Sequence, residues 1–444
     1  MFPEKIYASR SRAAPSTGEK QGRYNRRVRS LIESMVRRLA QQSRVPFAVR
    51  FADGREVRYA STDPAFTLSF RRPRAYWRTA LFGHVGLLEA YFDGDLDIDG
   101  SLPKALEAGM ESGIDNPNVL LRILNRTHEF LHSNSSWMRA KHNAEFHYAL
   151  GPDFYKFWLD DPLMLYTCAY WKDGTRTLEE AQRNKLDHVG KKVMLKPGDD
   201  VVDIGSGFGG FLQYAEERWG VKVTGYNTTG SQVQHARKQI EFKRLKNTVA
   251  LEADFRSMDK QYDKVVSIGC LEHAGRDGLT DLIRAHARSL KPGGLGLIHF
   301  IGHVGHFETD YFIRKYVFPG GWIPSLADVI VEMEKAGLEV LDIENLRRHY
   351  ALTLDAWGER FDANWEKIRA LDPARFNERF RRIWRTYLYG CAEMFRSRVG
   401  HTHLFQVAFS KGNVTMQSYP MGREFLYDPL ASAREEKRSA GRAA

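Results

Sequence analysis

Short apolar runs separated by glycine-containing turns and helical patterns set the organisation of the middle of the chain. Val201–Ile204 reads as a buried strand. Gly205, Gly207 and Gly209 follow at alternate positions, and Phe211, Leu212, Ala215 and Trp219 then recur at helical spacing. A strand that turns on glycines into a helix exposes backbone N–H groups and lets a ligand approach the main chain. Four more apolar runs, Val221–Gly225, Val249–Ala253, Lys264–Gly269 and Leu295–Phe300, predict further strands, with a helix opening near Gly230. This alternation predicts an α/β fold with a doubly wound sheet whose ligand lies at the carboxyl ends of the strands.

The flanks carry other periods. From Arg23, apolar residues at Val28, Leu31, Ile32, Met35, Val36 and Leu39 predict an amphipathic helix. Phe47–Phe51 and Glu56–Tyr59 predict a hairpin, Ala65–Phe70 a strand, and 86–92 and 102–110 helices around the turn Asp93-Gly94-Asp95. Beyond the sheet, Thr353–Arg369 and Pro373–Arg396 read as aromatic-rich helices, suited to wall a pocket or simply to fill a core. The expected division is a disordered basic segment over 1–22, a small α+β domain over 23–130, a linker over 131–139 around Ser133-Asn134-Ser135-Ser136, a catalytic domain over 140–425, and an unfolded tail over 426–444.

Composition narrows the class. The 444 residues are 43% hydrophobic, and no apolar run is long enough to span a bilayer. The N-terminus carries no secretory pattern, and three dispersed cysteines argue for a reducing cytoplasm. Net charge is +11, and residues 1–43 hold ten Lys/Arg against three Glu. With no nucleic-acid motif beside it, that basic surface points to anionic lipid rather than nucleic acid. The amphipathic helix within it either lies on a membrane or packs on its own domain.

The glycine loop alone does not choose a cofactor. A dinucleotide site places an acidic residue about 20 positions past the glycines; here Asn227 stands there, and Leu290-Lys291-Pro292-Gly293-Gly294 precedes the fifth strand in the manner of S-adenosylmethionine methyltransferases. Glu272, just past the fourth strand, sits where such a fold holds its ligand. Taken singly, Cys168, His299 and Tyr350 read as core residues. His299, His303 and His306 do not have zinc spacing.

Taken together, Tyr166-Thr167-Cys168-Ala169-Tyr170-Trp171, the glycine loop, Glu272-His273-Ala274-Gly275, His299-Phe300-Ile301-Gly302 and Lys315-Tyr316-Val317-Phe318-Pro319 resemble the cyclopropane fatty acid synthases and the related mycolic acid cyclopropane synthases. The resemblance extends over about residues 86–413. It implies a class I S-adenosylmethionine methyltransferase, Rossmann-like, with a small N-terminal domain that engages lipid. It also implies a cis double bond of a membrane phospholipid as acceptor, peripheral association with the inner face of the membrane, and a homodimer. Carried over by position, Tyr166, Thr167, Gly205, Gly207, Asn227, Gln232, Asp254 and Phe255 are implied cofactor contacts. Cys168, Glu272, His299, Tyr350 and the main chain of Ile301 are the implied ligands of a bicarbonate ion. The loop departs from the family pattern at Ser206 and Phe208, and Ala149 stands where the family has an aspartate.

An alkene is a weak nucleophile, so this chemistry needs a dry pocket that presses it against the sulfonium methyl. Aromatic faces suit the resulting cation, and ring closure needs a weak oxygen base for one proton. Two alternatives remain at this point. One is a methyltransferase that acts on an acyl carbon and gives a branched or methylene product; the other is a lipid-binding protein without catalysis.

Overall fold

The computed structural model describes residues 17–59, 62–113, 119–134, 137–148 and 150–427, with no description of side chains before residue 30. The expected disorder at 1–16 and 428–444, and Ser135-Ser136 of the expected linker, lie outside the described residues. The chain divides into two compact units, Met1–Asn118 and Val119–Ala444. The division falls earlier than the boundary near 130 expected from composition.

In the first unit, β1 (Phe47–Arg50) pairs with β2 (Glu56–Arg58) as the expected hairpin and runs parallel to β3 (Phe66–Phe70). A strand not foreseen, β4 (Leu96–Gly100), completes a four-stranded sheet in the order β2-β1-β3-β4. The amphipathic helix starts at Thr17, so residues 17–22 are helical rather than disordered. Its Ile32, Val36 and Leu39 are buried, in a helix that packs on Arg74–Phe92 and Leu102–Glu111. Those three residues are spent inside their own unit, while Leu31 is half exposed.

The second unit is built on seven strands. They are β5 (Asp200–Ile204), β6 (Lys222–Asn227), β7 (Thr248–Glu252), β8 (Tyr262–Ile268), β9 (Leu290–His303), β10 (Leu338–Asn345) and β11 (Thr402–Lys411). Their order is β10-β11-β9-β8-β5-β6-β7, with β5 to β9 parallel and β11 antiparallel to both its neighbours. The order reverses at β5, which makes its carboxyl end the switch point where ligands bind in doubly wound sheets. Alternation along β5 sends Val202 and Ile204 into one core layer and Val201 into the other. Asp203 shares the parity of Val201, on the side where the helix Leu178–Lys192 packs Leu186 and Val189.

Two composition-based expectations fail here. Asn134 is buried and its amide donates to the carbonyls of His273 and Gly320 at 2.8 and 3.2 Å, so this end of the presumed linker is part of the catalytic unit. The expected tail at 426–427 instead belongs to a short helix, Glu424–Tyr427, with Leu426 buried and its carbonyl accepting from Lys191 Nζ at 3.1 Å.

Candidate active site

The glycine loop forms the floor of a cleft at the end of β5. Gly205 has φ +87°, and a β-carbon there would lie 2.6 Å from that of Cys270. Gly207 has φ +52° and faces open space, which leaves its backbone accessible. Tyr166, Thr167, Asp203, Asn227, Gln232 and Phe255 all line the cleft. Asn227 Nδ2 donates to the Gly207 carbonyl at 3.2 Å and to Gln232 Oε1 at 3.0 Å, tying the loop to the helix Gly230–Phe242. Asp254 is different. Its carboxylate accepts from Arg256 N and Nη1 at 2.9 and 3.1 Å, and while Ala253 and Phe255 reach the cleft, Asp254 does not. The implied cofactor contact at Asp254 thus stands between two residues of the cleft wall, with its carboxylate engaged by Arg256.

Beside the cleft stands Glu272, on the short helix Leu271–Ala274 that follows β8. One carboxylate oxygen accepts the Ile301 main-chain N–H at 2.5 Å, and the other is buried without a partner. Burial pushes the carboxyl up to about 7, partly offset by the Ile301 amide. Ile301 and His299 lie on β9, where His299 is paired in register with Ile268 of β8 and Gln406 of β11. The Gln406 amide lies 3.2 Å from His299 Nδ1, and the other ring nitrogen, Nε2, is buried and unpartnered. Burial, with Lys185 and Lys192 nearby, holds His299 far below the usual imidazole range, so the ring is neutral.

Cys168 is fully buried, its Sγ directed to the Ala169 carbonyl at 3.2 Å, and burial pushes the thiol up. It is a neutral thiol. Tyr350, on the helix Arg347–Ala363, has its hydroxyl pushed far up by burial and then by the fields of Tyr387, Cys168 and Glu272. Cys168 and Glu272 thus both bear on the Tyr350 hydroxyl, and Lys185 bears on both Cys168 and His299. The Ile301 amide is already bonded to Glu272, which makes it a support for the carboxylate.

Aromatic rings enclose the site. Tyr166 stands 5.2 Å from Trp357 and 5.6 Å from His147, centroid to centroid, and Trp384 and Phe318 lie 5.4 and 4.1 Å from His147. Tyr166 Oη bonds Tyr387 Oη at 2.8 Å and His147 Nε2 at 3.1 Å, so its phenol is fixed.

Several supporting residues escaped sequence reasoning. Lys185 Nζ donates to Thr167 Oγ1 at 2.8 Å, and Gln182 Nε2 donates to the carbonyls of Leu165 and Thr167 at 3.0 and 2.9 Å. Thr353 Oγ1 accepts from Ala169 N at 3.1 Å and Trp171 Nε1 at 3.0 Å, fastening the Cys168 segment to the Tyr350 helix. The signal for Lys185 was its place on an apolar stripe, Ala181, Lys185, Val189, where all three are buried. A lysine there needs a polar partner inside.

Residues 135–407 match the family model described as mycolic acid cyclopropane synthetase. The chain belongs to this family. Residues 34–114 match a second model, described as a domain of unknown function. The cyclopropane-fatty-acyl-phospholipid synthase of Escherichia coli strain K12 is 36% identical over 348 residues, 77% of this chain and 87% of that protein. A probable fatty acid methyltransferase of Pseudomonas putida is 30% identical over 407 residues, 87% of this chain and 98% of that protein. Among solved structures, mycolic acid cyclopropane synthase CmaA1 complexed with SAH and CTAB is 31% identical with a TM-score of 0.56, covering 61% of this chain and 98% of that one. The sheet is accordingly that of a class I methyltransferase, and this member of the cyclopropane synthetase family is an S-adenosylmethionine-dependent enzyme. Among the described residues, no helix is long and apolar enough to cross a membrane.

Proposed function

We propose that the protein converts the cis double bond of unsaturated acyl chains in membrane phospholipids into a cyclopropane ring, working as a homodimer at the inner face of the membrane. The observation that carries the reading is Glu272, a buried carboxyl with one oxygen anchored on Ile301 N and the other without a partner, beside the cofactor cleft.

S-adenosylmethionine supplies the methyl group, and bicarbonate, when bound, supplies a weak oxygen base. One C–S bond breaks, two C–C bonds form to the former alkene carbons, and one methyl proton leaves. The residues of this protein fit both groups. Gly207 leaves the backbone open, and Asn227 and Gln232 offer amides at the cleft wall. Glu272 Oε2 and His299 Nε2 are orphaned polar atoms of the kind a small oxyanion satisfies. A carboxyl poised about 7 passes a proton on without holding it. The rings of Tyr166, Trp357 and Trp384 exclude water and present π-faces to developing positive charge without a strong nucleophile.

A second reading, transfer of the methyl group to give a branched or methylene product, is favoured by the match to nearly the whole of the Pseudomonas putida methyltransferase. The test is to incubate the protein with monounsaturated phospholipid vesicles and methyl-labelled cofactor and to examine the released fatty acids by NMR. Upfield ring methylene signals support cyclopropanation, whereas branched-methyl or olefinic methylene signals replace it with the second reading. Removing carbon dioxide should slow turnover and added bicarbonate should restore it; indifference to both excludes bicarbonate.

A further inference from the structure

The two helices Val119–Leu131 and Trp137–Tyr148 bury asparagines while exposing large apolar side chains among polar ones. Facing inward, the first buries Leu121 and also Asn125, whose Nδ2 donates to the Thr309 carbonyl at 2.9 Å and whose Oδ1 accepts from Arg314 Nη1 at 3.0 Å. The second buries Asn143, which donates to the His132 carbonyl at 2.8 Å, and His147, which stacks on Tyr166. Facing outward, Val119, Ile123 and Phe130 are 72%, 56% and 79% exposed. Their spacing of i, i+4 and i+11 places them on one stripe of the helix. Met138 and Phe146, at i and i+8, are 76% and 56% exposed on the second helix. Arg122, Arg126 and Arg139 are exposed beside these residues.

A helix packed on a protein and bathed in water keeps most of its large apolar residues on the packed side; these two leave Val119, Ile123, Phe130, Met138 and Phe146 in solvent. An exposed apolar stripe with basic flanks fits the boundary between headgroups and acyl chains. The inner face of the second helix belongs to the active site. Tyr148 lines the cofactor cleft, and its hydroxyl meets His273 Nε2 at 3.2 Å. A surface that touches the bilayer there stands one helix away from where an acyl group must react. A second copy of the protein fits less well, because a two-fold contact through this face would bring its own arginines against one another.

We propose that this helix pair is the bilayer-docking surface of the enzyme, with Val119, Ile123, Phe130, Met138 and Phe146 seated among acyl chains and the arginines on lipid phosphates. The proposal rests on the phospholipid reading above, but its test does not need the chemistry. Dimyristoyl phosphatidylglycerol vesicles contain no double bond, so sedimentation with them measures docking alone. The I123E/F130E variant changes only exposed positions and should partition about tenfold or more weakly into these vesicles. It should keep its rate on detergent-dispersed unsaturated phospholipid. In a separate variant, Phe130→Trp, indole emission should shift to the blue when vesicles are added. Unchanged partitioning of I123E/F130E, or no shift from Phe130→Trp, overturns the proposal. So does conversion of a dimer to a monomer with vesicle binding intact, which would assign the face to a second copy. If the native protein docks through these residues yet transfers no methyl group to unsaturated lipid, the surface stands and the substrate reading falls.

Discussion

Glu272 Oε1 holds the Ile301 main-chain N–H at 2.5 Å, while its Oε2 is buried and unpaired. The carboxyl is thus fixed by the same strand that carries His299, with one oxygen uncommitted within the protein. Replacing Glu272 with Gln keeps the shape and removes the titrating group. Turnover should fall about 100-fold or more, while the affinity for S-adenosylhomocysteine, measured by calorimetry, stays near the native value. A fully active variant would remove Glu272 from the proton's route.

The same carboxyl should leave a mark on stability. Burial raises it from 4.5 to about 7 in the folded protein. The folded state therefore binds this proton more tightly than the unfolded state, and the stability it contributes is fully present below about pH 4.5 and lost as pH rises through about 7. Glu272→Gln lacks that loss. Its melting temperature should decline less than the native one between pH 5 and pH 7.5, and parallel profiles would contradict the assigned burial.

At Gly207 the backbone needs φ +52° and opens toward the cleft. A β-branched residue there costs about 1–3 kcal/mol of strain and fills the approach to the cofactor. Gly207→Val should fold, melt somewhat lower, and bind S-adenosylhomocysteine too weakly for calorimetry. Near-native affinity would mean that the loop does not carry the cofactor.

Lys185 is fully buried among Asp160, Asp203 and Cys168 and donates to Thr167 Oγ1. Burial draws it down to about 8, and burial likewise lifts Asp160 and Asp203 to about 7. Lys185→Met removes the buried donor to Thr167 Oγ1 and should cost about 1–3 kcal/mol in denaturant unfolding. Adding Asp203→Asn should recover part of that loss. Equal stability of the single and double variants would show that the two groups do not interact.

The parallel core was legible because its strands are apolar runs ending in glycine, proline or acidic turns, as at Val201–Gly205 and Lys264–Gly269. The sheet's far edge was not. β10 carries Glu339, Asp342 and Glu344, which break the apolar run that marks a strand, and these acids are spent on buried or half-buried partners such as Lys192 and His188. The linker reading of Asn134 failed because composition counts an asparagine as a loop former whether or not its amide finds buried carbonyls. The gathering of Cys168, Glu272 and Tyr350 needed the resemblance; no spacing along the sequence joins residues so far apart.

Positions 205 and 270 are not free to drift separately over evolutionary time. Gly205 leaves no room for a β-carbon beside the side chain of Cys270, and Glu272 lies only two residues beyond that contact. Added bulk at either position must displace the other or push the turn that carries the carboxyl. The floor of the cleft and the turn that carries Glu272 are thus one steric unit, in which a change of volume at one is felt at the other.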